Sequence, residues 1–261
     1  MSIKSNFHTH TSLSDGKNTA EEMVKSAIEK GFTHLGFSDH SYTPFDLDVC
    51  LAKENTKVYI EKINELKEKY KNEISIYLGL EMDYYSEEDL SYYDYVIGSV
   101  HYLEKNGVYY PVDLSKESFR NAISKVWNGD VYAFAEDYYN LEKDLVNRFD
   151  FDIVGHIDLI SKFNEIDASI DENNERYKEA SFSAVDELLK YDKIFEVNTG
   201  AISRGYRTTP YPSKALLRRI KDGNGRVIIT ADAHSDDALD TGFDIAQEMI
   251  DETGITQVWR I

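Results

Sequence analysis

The feature that most constrains this chain is an alternation of short apolar, β-rich runs with longer segments of helical periodicity. The strand candidates are Ile3–His8, Thr33–Ser38, Ile74–Leu80, Tyr95–Val100, Phe151–Gly155, Ile194–Asn198 and Val227–Ala231, each near the usual strand length. A short further run, Thr256–Arg260, returns to the sheet or covers it. Between the runs lie helical candidates at Thr19–Lys30, Thr56–Lys71, Lys116–Trp127, Tyr132–Arg148, Glu172–Tyr191, Ser213–Lys221 and Asp237–Glu252. Thr19 with Glu22 reads as a capping box, and Gly31 and Gly223 sit where helix C-caps fall. Repeated strand–helix alternation implies a mostly parallel sheet. No G-x-G-x-x-G or G-x-x-x-x-G-K-[ST] phosphate loop is present. A closed or nearly closed barrel is therefore favoured over an open doubly wound sheet. With no repeat, low-complexity tract or Pro/Ser-rich linker, residues 1–261 read as one domain.

Composition narrows the partners. A 261-residue chain that is 41% hydrophobic can fill a sizeable core. Charged residues make up 30% and no apolar run approaches the ~18 residues of a spanning helix, so no membrane partner is expected. Met1 to Asn6 lack the apolar stretch of a signal peptide. The net charge of -19 repels phosphate backbones, and no nucleic-acid partner is expected. Cys50 is the only cysteine, which excludes an intramolecular disulfide and fits a reducing, cytoplasmic setting.

The histidines carry the functional signal. His8 and His10 close the first strand, His40 follows the second, His101 the fourth, His156 the fifth and His234 the seventh, so six of seven histidines fall at one end of the expected sheet. That end is where parallel barrels place their chemistry. Glu81 follows the third strand and Asp232 the seventh. His8/His10 and Asp232/His234 are spaced i, i+2, so each pair projects from one strand face. Imidazole with carboxylate suits Zn²⁺, Mn²⁺ or Fe²⁺. Taken singly, Asp15 in Ser14-Asp15-Gly16 could be an Asx turn and Glu81 a cap or salt-bridge partner. His34 lies six residues before His40, roughly 20 Å away at ~3.3 Å per residue, and belongs to the core or the opposite rim.

The runs Phe7-His8-Thr9-His10-Thr11, Ser14-Asp15-Gly16, Ser38-Asp39-His40, Gly79-Leu80-Glu81, Gly98-Ser99-Val100-His101, Gly155-His156 and Asp232-Ala233-His234 together resemble the polymerase and histidinol phosphatase (PHP) superfamily. Glu196-Val197-Asn198-Thr199-Gly200 and Tyr211-Pro212-Ser213 resemble its histidinol-phosphatase branch. The resemblance implies an α/β fold, a distorted (β/α)7 TIM-like barrel, holding three divalent metal ions (Zn²⁺, Mn²⁺ or Fe²⁺). By matching motif positions, His8, His10, Glu81 and Asp232 would hold the first metal, and Asp15, His40 and His234 the second. Glu81 would bridge to a third, completed by His101 and His156. Some relatives carry histidine where this chain has Asp15, which lowers the positive charge of the second site.

The implied activity is hydrolysis of a small-molecule phosphate ester, L-histidinol phosphate, within histidine biosynthesis. A hydroxide held between two metals would attack phosphorus, since metal binding lowers the pKa of water to about 7. Asp232, His234 and Glu81 are the catalytic candidates, Asp232 for proton transfer. The loop after the sixth strand supplies Arg204 and Arg207, whose guanidinium forks suit phosphate, and Lys162 follows His156 by six residues. Tyr42 or Tyr102 could flank an imidazole ring, and the acidic stretch Ser86–Asp94 reads as a solvated loop. Alternatives are a phosphoesterase acting on a nucleotide, a non-catalytic module that has lost its ligands, and an amidohydrolase. The last would more often place a carbamylated lysine where Glu81 or His101 stands.

Overall fold

A computed structural model of the protein describes residues 4–261. Ile3, where the first expected strand begins, lies outside the described residues. The strands are β1 (Ser5–Asn6), β2 (His34–Phe37), β3 (Ser75–Asp83), β4 (Tyr95–Ser99), β5 (Tyr102–Lys105), β6 (Val108–Pro111), β7 (Ile153–Val154), β8 (Ile194–Asn198), β9 (Arg226–Thr230) and β10 (Thr256–Gln257). Among the described residues, eight form one sheet in the order β1-β2-β3-β4-β7-β8-β9-β10, and each paired neighbour is parallel. The Thr256–Arg260 run thus returns to the sheet, as β10 alongside β9. Two strands form a separate antiparallel hairpin, β5 with β6.

The sheet curls until its first and later strands meet. Thr9 and Ala233 form a parallel bridge, through His10 N–H to the Ala233 carbonyl at 2.9 Å and Ala233 N–H to the His8 carbonyl at 3.1 Å. The Asn6 side chain crosses the same seam, its Oδ1 accepting from His8 N–H and Ala231 N–H at 3.1 Å each. Inside the curl, Phe7, Tyr95, Ile97, Ile153, Ile194 and Ile228 make a small apolar core. Tyr95 lies across Gly36 and Gly79, where a Cβ would strike its ring. Its hydroxyl donates to the Phe7 and Phe37 carbonyls at 2.6 and 3.1 Å.

Outside the sheet pack α1 (Ala20–Glu29), α2 (Asn55–Tyr70), α3 (Lys116–Val126), α4 (Val131–Arg148), α5 (Asn164–Asp167), α6 (Glu175–Leu188), α7 (Gly200–Ser203), α8 (Lys214–Asp222) and α9 (Phe243–Thr253). The larger apolar core lies between these helices and the sheet. The capping box of α1 is present, with Thr19 N–H donating to Glu22 at 2.8 Å, and Gly31 follows its C-cap in the left-handed region.

Three local readings need correction. The expected helix over Asp237–Glu252 is broken by Gly242 at φ 79°, leaving a short turn before α9. The segment Glu172–Tyr191 starts its helix only at Glu175, capped by Asn174. Glu81 lies within β3, two residues before its end, rather than after it. Gly223 is the C-cap of α8, as expected, and Asn224 after it takes the left-handed conformation. Among the described residues, no helix is long and apolar enough to cross a membrane.

Candidate metal centre

Strand-end geometry gathers the nine expected ligands. The Thr9–Ala233 bridge sets the two i, i+2 pairs, His8/His10 and Asp232/His234, side by side. Asp232 adopts φ 47°, a left-handed conformation uncommon outside glycine that Asp tolerates better than most residues. A second parallel bridge pairs His40 with Glu81 across β2 and β3. Glu81 is the hub. Its Oε2 lies 2.9 Å from His40 Nδ1, 3.1 Å from His8 Nε2 and 3.5 Å from His10 Nε2. Its Oε1 lies 2.9 Å from His156 Nε2 and 3.3 Å from His101 Nε2, and accepts a hydrogen bond from Ser99 Oγ at 2.9 Å. On the other side of the cluster, Asp15 Oδ2 meets His234 Nε2 at 3.0 Å and His40 Nε2 at 3.8 Å.

Three overlapping groups have ligand atoms close enough to share an ion: His10, Asp15, His40 and His234; His8, His10 and Asp232; His40, Glu81 and His101. The third group joins His40 to Glu81 and His101, whereas the family resemblance implies His40 at the second metal. The donor set fits divalent cations chemically, since it is imidazole and carboxylate without thiolate. It also fits by satisfaction. His8 Nε2, both ring nitrogens of His10, Glu81 Oε2 and His156 Nδ1 are buried without a hydrogen-bond partner. Such a concentration of unpaired buried polar atoms is rare in a folded interior.

The electrostatics match. Burial opposes ionisation of Glu81, yet His8, His40 and His101 outweigh it and hold the carboxyl well below its ordinary range. Burial likewise opposes ionisation of Asp232, and Arg204, His8 and His10 overcome it. For His10, burial followed by the like charges of His234 and His40 pushes the ring down to about 3. That ring stays neutral and able to ligate across the neutral pH range.

The cluster floors a cavity of about 670 Å³. Arg204 enters it, with Nη2 donating to Asp232 Oδ2 at 2.9 Å and Nη1 reaching His234 Nδ1 at 2.9 Å. Lys162 also lines it and donates to the Asp113 carboxylate and carbonyl at 2.8 and 2.9 Å. Arg207 does not reach the cavity. Its guanidinium turns to Ser161 and Thr209 and lies over the Tyr211 ring, bracing the loop instead. Tyr102 lines the cavity, whereas Tyr42 lines a separate one with Glu87, Glu88 and Asp89. Cys50 is buried at the cavity wall, its Sγ accepting from Thr43 N–H at 3.2 Å. His34 stays away from the cluster, beside Thr33 and Tyr77.

Sequence reasoning missed the residues that hold the ligands. Asp83 accepts His101 N–H at 3.1 Å and lies 3.3 Å from its Nδ1. Glu196 pairs with His8 Nδ1 at 2.6 Å. Asp39 accepts from Thr11 Oγ1 and Ser14 Oγ at 2.6 Å each, fastening the loop that carries Asp15, and burial pushes its carboxyl up to about 6 despite those hydrogen bonds.

The PHP domain family model matches residues 6–200. The chain belongs to the PHP domain family. A Schizosaccharomyces pombe protein named probable histidinol-phosphatase is 28% identical over 282 residues, covering 100% of this chain and 90% of its own length. The histidinol-phosphatase of Bacillus subtilis strain 168 is 27% identical over 264 residues, covering 92% of this chain and 96% of its own. This PHP chain also shares its fold with the crystal structure of histidinol phosphate phosphatase from Lactococcus lactis complexed with zinc, L-histidinol and phosphate. The TM-score is 0.73 at 23% identity, over 98% of this chain and 95% of that one.

Proposed function

We propose that this PHP chain is a metal-dependent phosphomonoesterase that hydrolyses L-histidinol phosphate to L-histidinol and phosphate. The observation that carries the proposal is the convergence of imidazole and carboxylate side chains on one cluster: Asp15, His40, Glu81, His101, His156, Asp232 and His234 line a single cavity with Arg204, and His8 and His10 lie buried directly behind them. The volume of about 670 Å³ suits a small ester. Full-length relatives named histidinol-phosphatase support the substrate. We read up to three divalent ions held by His8, His10, Asp15, His40, Glu81, His101, His156, Asp232 and His234. We also read the sheet as a distorted seven-stranded barrel with β10 filling the seam at its base, and residues 1–261 as one cytoplasmic unit with no nucleic-acid partner.

Bound divalent ions would supply an acidified water and positive charge toward the phosphoryl oxygens. The chain's own groups do the rest. His234 Nδ1 has two neighbours, the Asp232 carbonyl at 3.0 Å and Arg204 Nη1 at 2.9 Å. A ring used as a ligand through Nε2 carries its proton on Nδ1, which then donates to the Asp232 carbonyl. That releases one arm of Arg204 toward a phosphate, while Nη2 stays on Asp232. Asp232, held ionised, enters as an acceptor rather than an acid. Lys162, pinned by Asp113, adds a second positive charge to the wall. Asp46 also lines the cavity; its carboxylate accepts from the Tyr102 hydroxyl, and we read it as the site for the cationic end of the ester.

The test is a comparison of kcat/KM for L-histidinol phosphate, a panel of mononucleotides and p-nitrophenyl phosphate, with zinc or manganese supplied. L-Histidinol phosphate is expected to lead by at least tenfold. A mononucleotide turned over as well or better overturns the proposal.

A further inference from the structure

We infer that Glu196 is a positioning residue of the metal centre: its carboxylate keeps the proton of His8 on Nδ1 and so presents Nε2 bare to a divalent cation. This rests on the metal-binding reading of the cluster and is independent of which ester is hydrolysed. Glu196 lies in β8, a strand that contributes none of the nine ligands. Its side chain is fully buried. Oε1 stands 2.6 Å from His8 Nδ1. Oε2 accepts the backbone N–H of His156 at 3.0 Å and the Nδ2 of Asn198 at 3.0 Å. The Asn198 amide cannot turn around freely, because its Oδ1 accepts Gly200 N–H at 2.9 Å. Two fixed N–H donors therefore face Oε2, and the imidazole faces Oε1.

Only a carboxylate satisfies that arrangement with the His8 proton on Nδ1. An amide at position 196 brings one oxygen and one NH₂ group. If its oxygen meets the two fixed donors, its NH₂ points at His8 Nδ1, which must then accept. The ring proton moves to Nε2, the atom 3.1 Å from Glu81 Oε2 and 3.8 Å from Asp232 Oδ1. That is the atom a shared cation needs. If the amide is turned over, NH₂ meets N–H in a dry interior, and two buried donors lose their acceptor. The same carboxylate also ties two ligand-bearing strand ends together, since His156 places its Nε2 2.9 Å from Glu81 Oε1. Carboxylate partners of ligating imidazoles set tautomer and orientation in just this way.

The experiment titrates metal-stripped wild type and Glu196→Gln with zinc against a chromophoric chelator. The expected result is one zinc site weakened about 10- to 100-fold in the variant. Wild-type zinc affinity in Glu196→Gln overturns the inference. Should that variant fail to fold, the wild type decides: ¹⁵N-edited spectra of the zinc-loaded protein should show the His8 proton on Nδ1, and a proton on Nε2 overturns the assignment. A wild type that binds no zinc instead sinks the metal reading beneath it, a failure distinguishable because it appears without any substitution.

Discussion

At the scale of single residues, the site depends on compensated burial. A carboxylate moved into a dry interior is costly unless positive groups or hydrogen bonds replace its water. Glu81 is ringed by imidazoles, and Asp232 by His8, His10 and Arg204. Arg204 is a counter-charge to Asp232 and, in the function proposed here, a phosphate ligand. Arg204→Ala is expected to raise KM for the ester and Ki for phosphate about tenfold, the size of a lost charged hydrogen bond. Arg204→Lys should not restore them, because an ammonium cannot hold Asp232 and phosphate through two arms. Unchanged KM and Ki in steady-state kinetics would remove Arg204 from the phosphate site. Glu142 shows the opposite case. It is fully buried, accepts from Tyr138 OH at 2.7 Å and leaves Oε2 without a partner. Burial pushes its carboxyl well up, with Asp158 and Asp83 adding to the rise and Tyr138 and His101 opposing it. Its folded value is above its unfolded one, so the folded state holds the extra proton, and stability falls as pH rises through that interval. Glu142→Gln removes this penalty. Its melting temperature should exceed that of wild type by a few degrees at pH 8, with the gap closing toward pH 4.5; an effect of about 1 kcal/mol reads as roughly 2–4 °C. A gap independent of pH would show that Glu142 stays ionised.

At the scale of elements, the β5–β6 hairpin and the loop after β2 form one wall of the cavity. Phe45 stacks on Tyr109 with ring centres 3.7 Å apart and meets Tyr102 edge-on at 4.9 Å. This aromatic contact holds Asp46 against the Tyr102 hydroxyl, facing the cavity. Asp46→Asn is expected to lower kcat/KM for L-histidinol phosphate about tenfold while leaving p-nitrophenyl phosphate near its wild-type value, because only the former carries an amine to pair with. An equal fall on both esters would make the wall structural. This wall was legible only in part. The left-handed pair Asn106 and Gly107 at the hairpin tip is the usual signature of a tight antiparallel turn, but the flanking strands are only four residues each, and alternation with helices favours a mostly parallel sheet. The ligands were legible because histidine is rare here and its spacing survives any small error in strand ends. The residues that orient them were not, since acids are plentiful in this chain. Asp83 stands two residues after Glu81, the same spacing that marks His8/His10, and ending the third strand at Leu80 hid it. Glu196 and Asn198 share the inner face of β8 for the same reason.

At the scale of the whole molecule, ligands arrive from the ends of six strands, β1, β2, β3, β4, β7 and β9, and from the loop holding Asp15. No short segment of the chain can assemble the cluster, so cations bind the folded state and barely bind the unfolded one. Binding free energy then adds to folding free energy. The chain's net charge of -19 reinforces the effect, because each bound cation also relieves repulsion within a compact acidic body. At a free metal concentration 100 times Kd, one site contributes about 2.7 kcal/mol, which for a chain this long corresponds to a rise of roughly 5–10 °C in melting temperature. Chelation should lower the melting temperature by that amount or more, and readdition of zinc should restore it. The decisive feature is the concentration dependence. Specific binding to the folded state makes the melting temperature climb with the logarithm of free zinc once the site is filled, while salt screening alone saturates and is reproduced by magnesium or sodium at equal ionic strength. A melting temperature insensitive to zinc across that range, or one raised equally by sodium, would mean that the nine side chains of the cluster do not close on a cation.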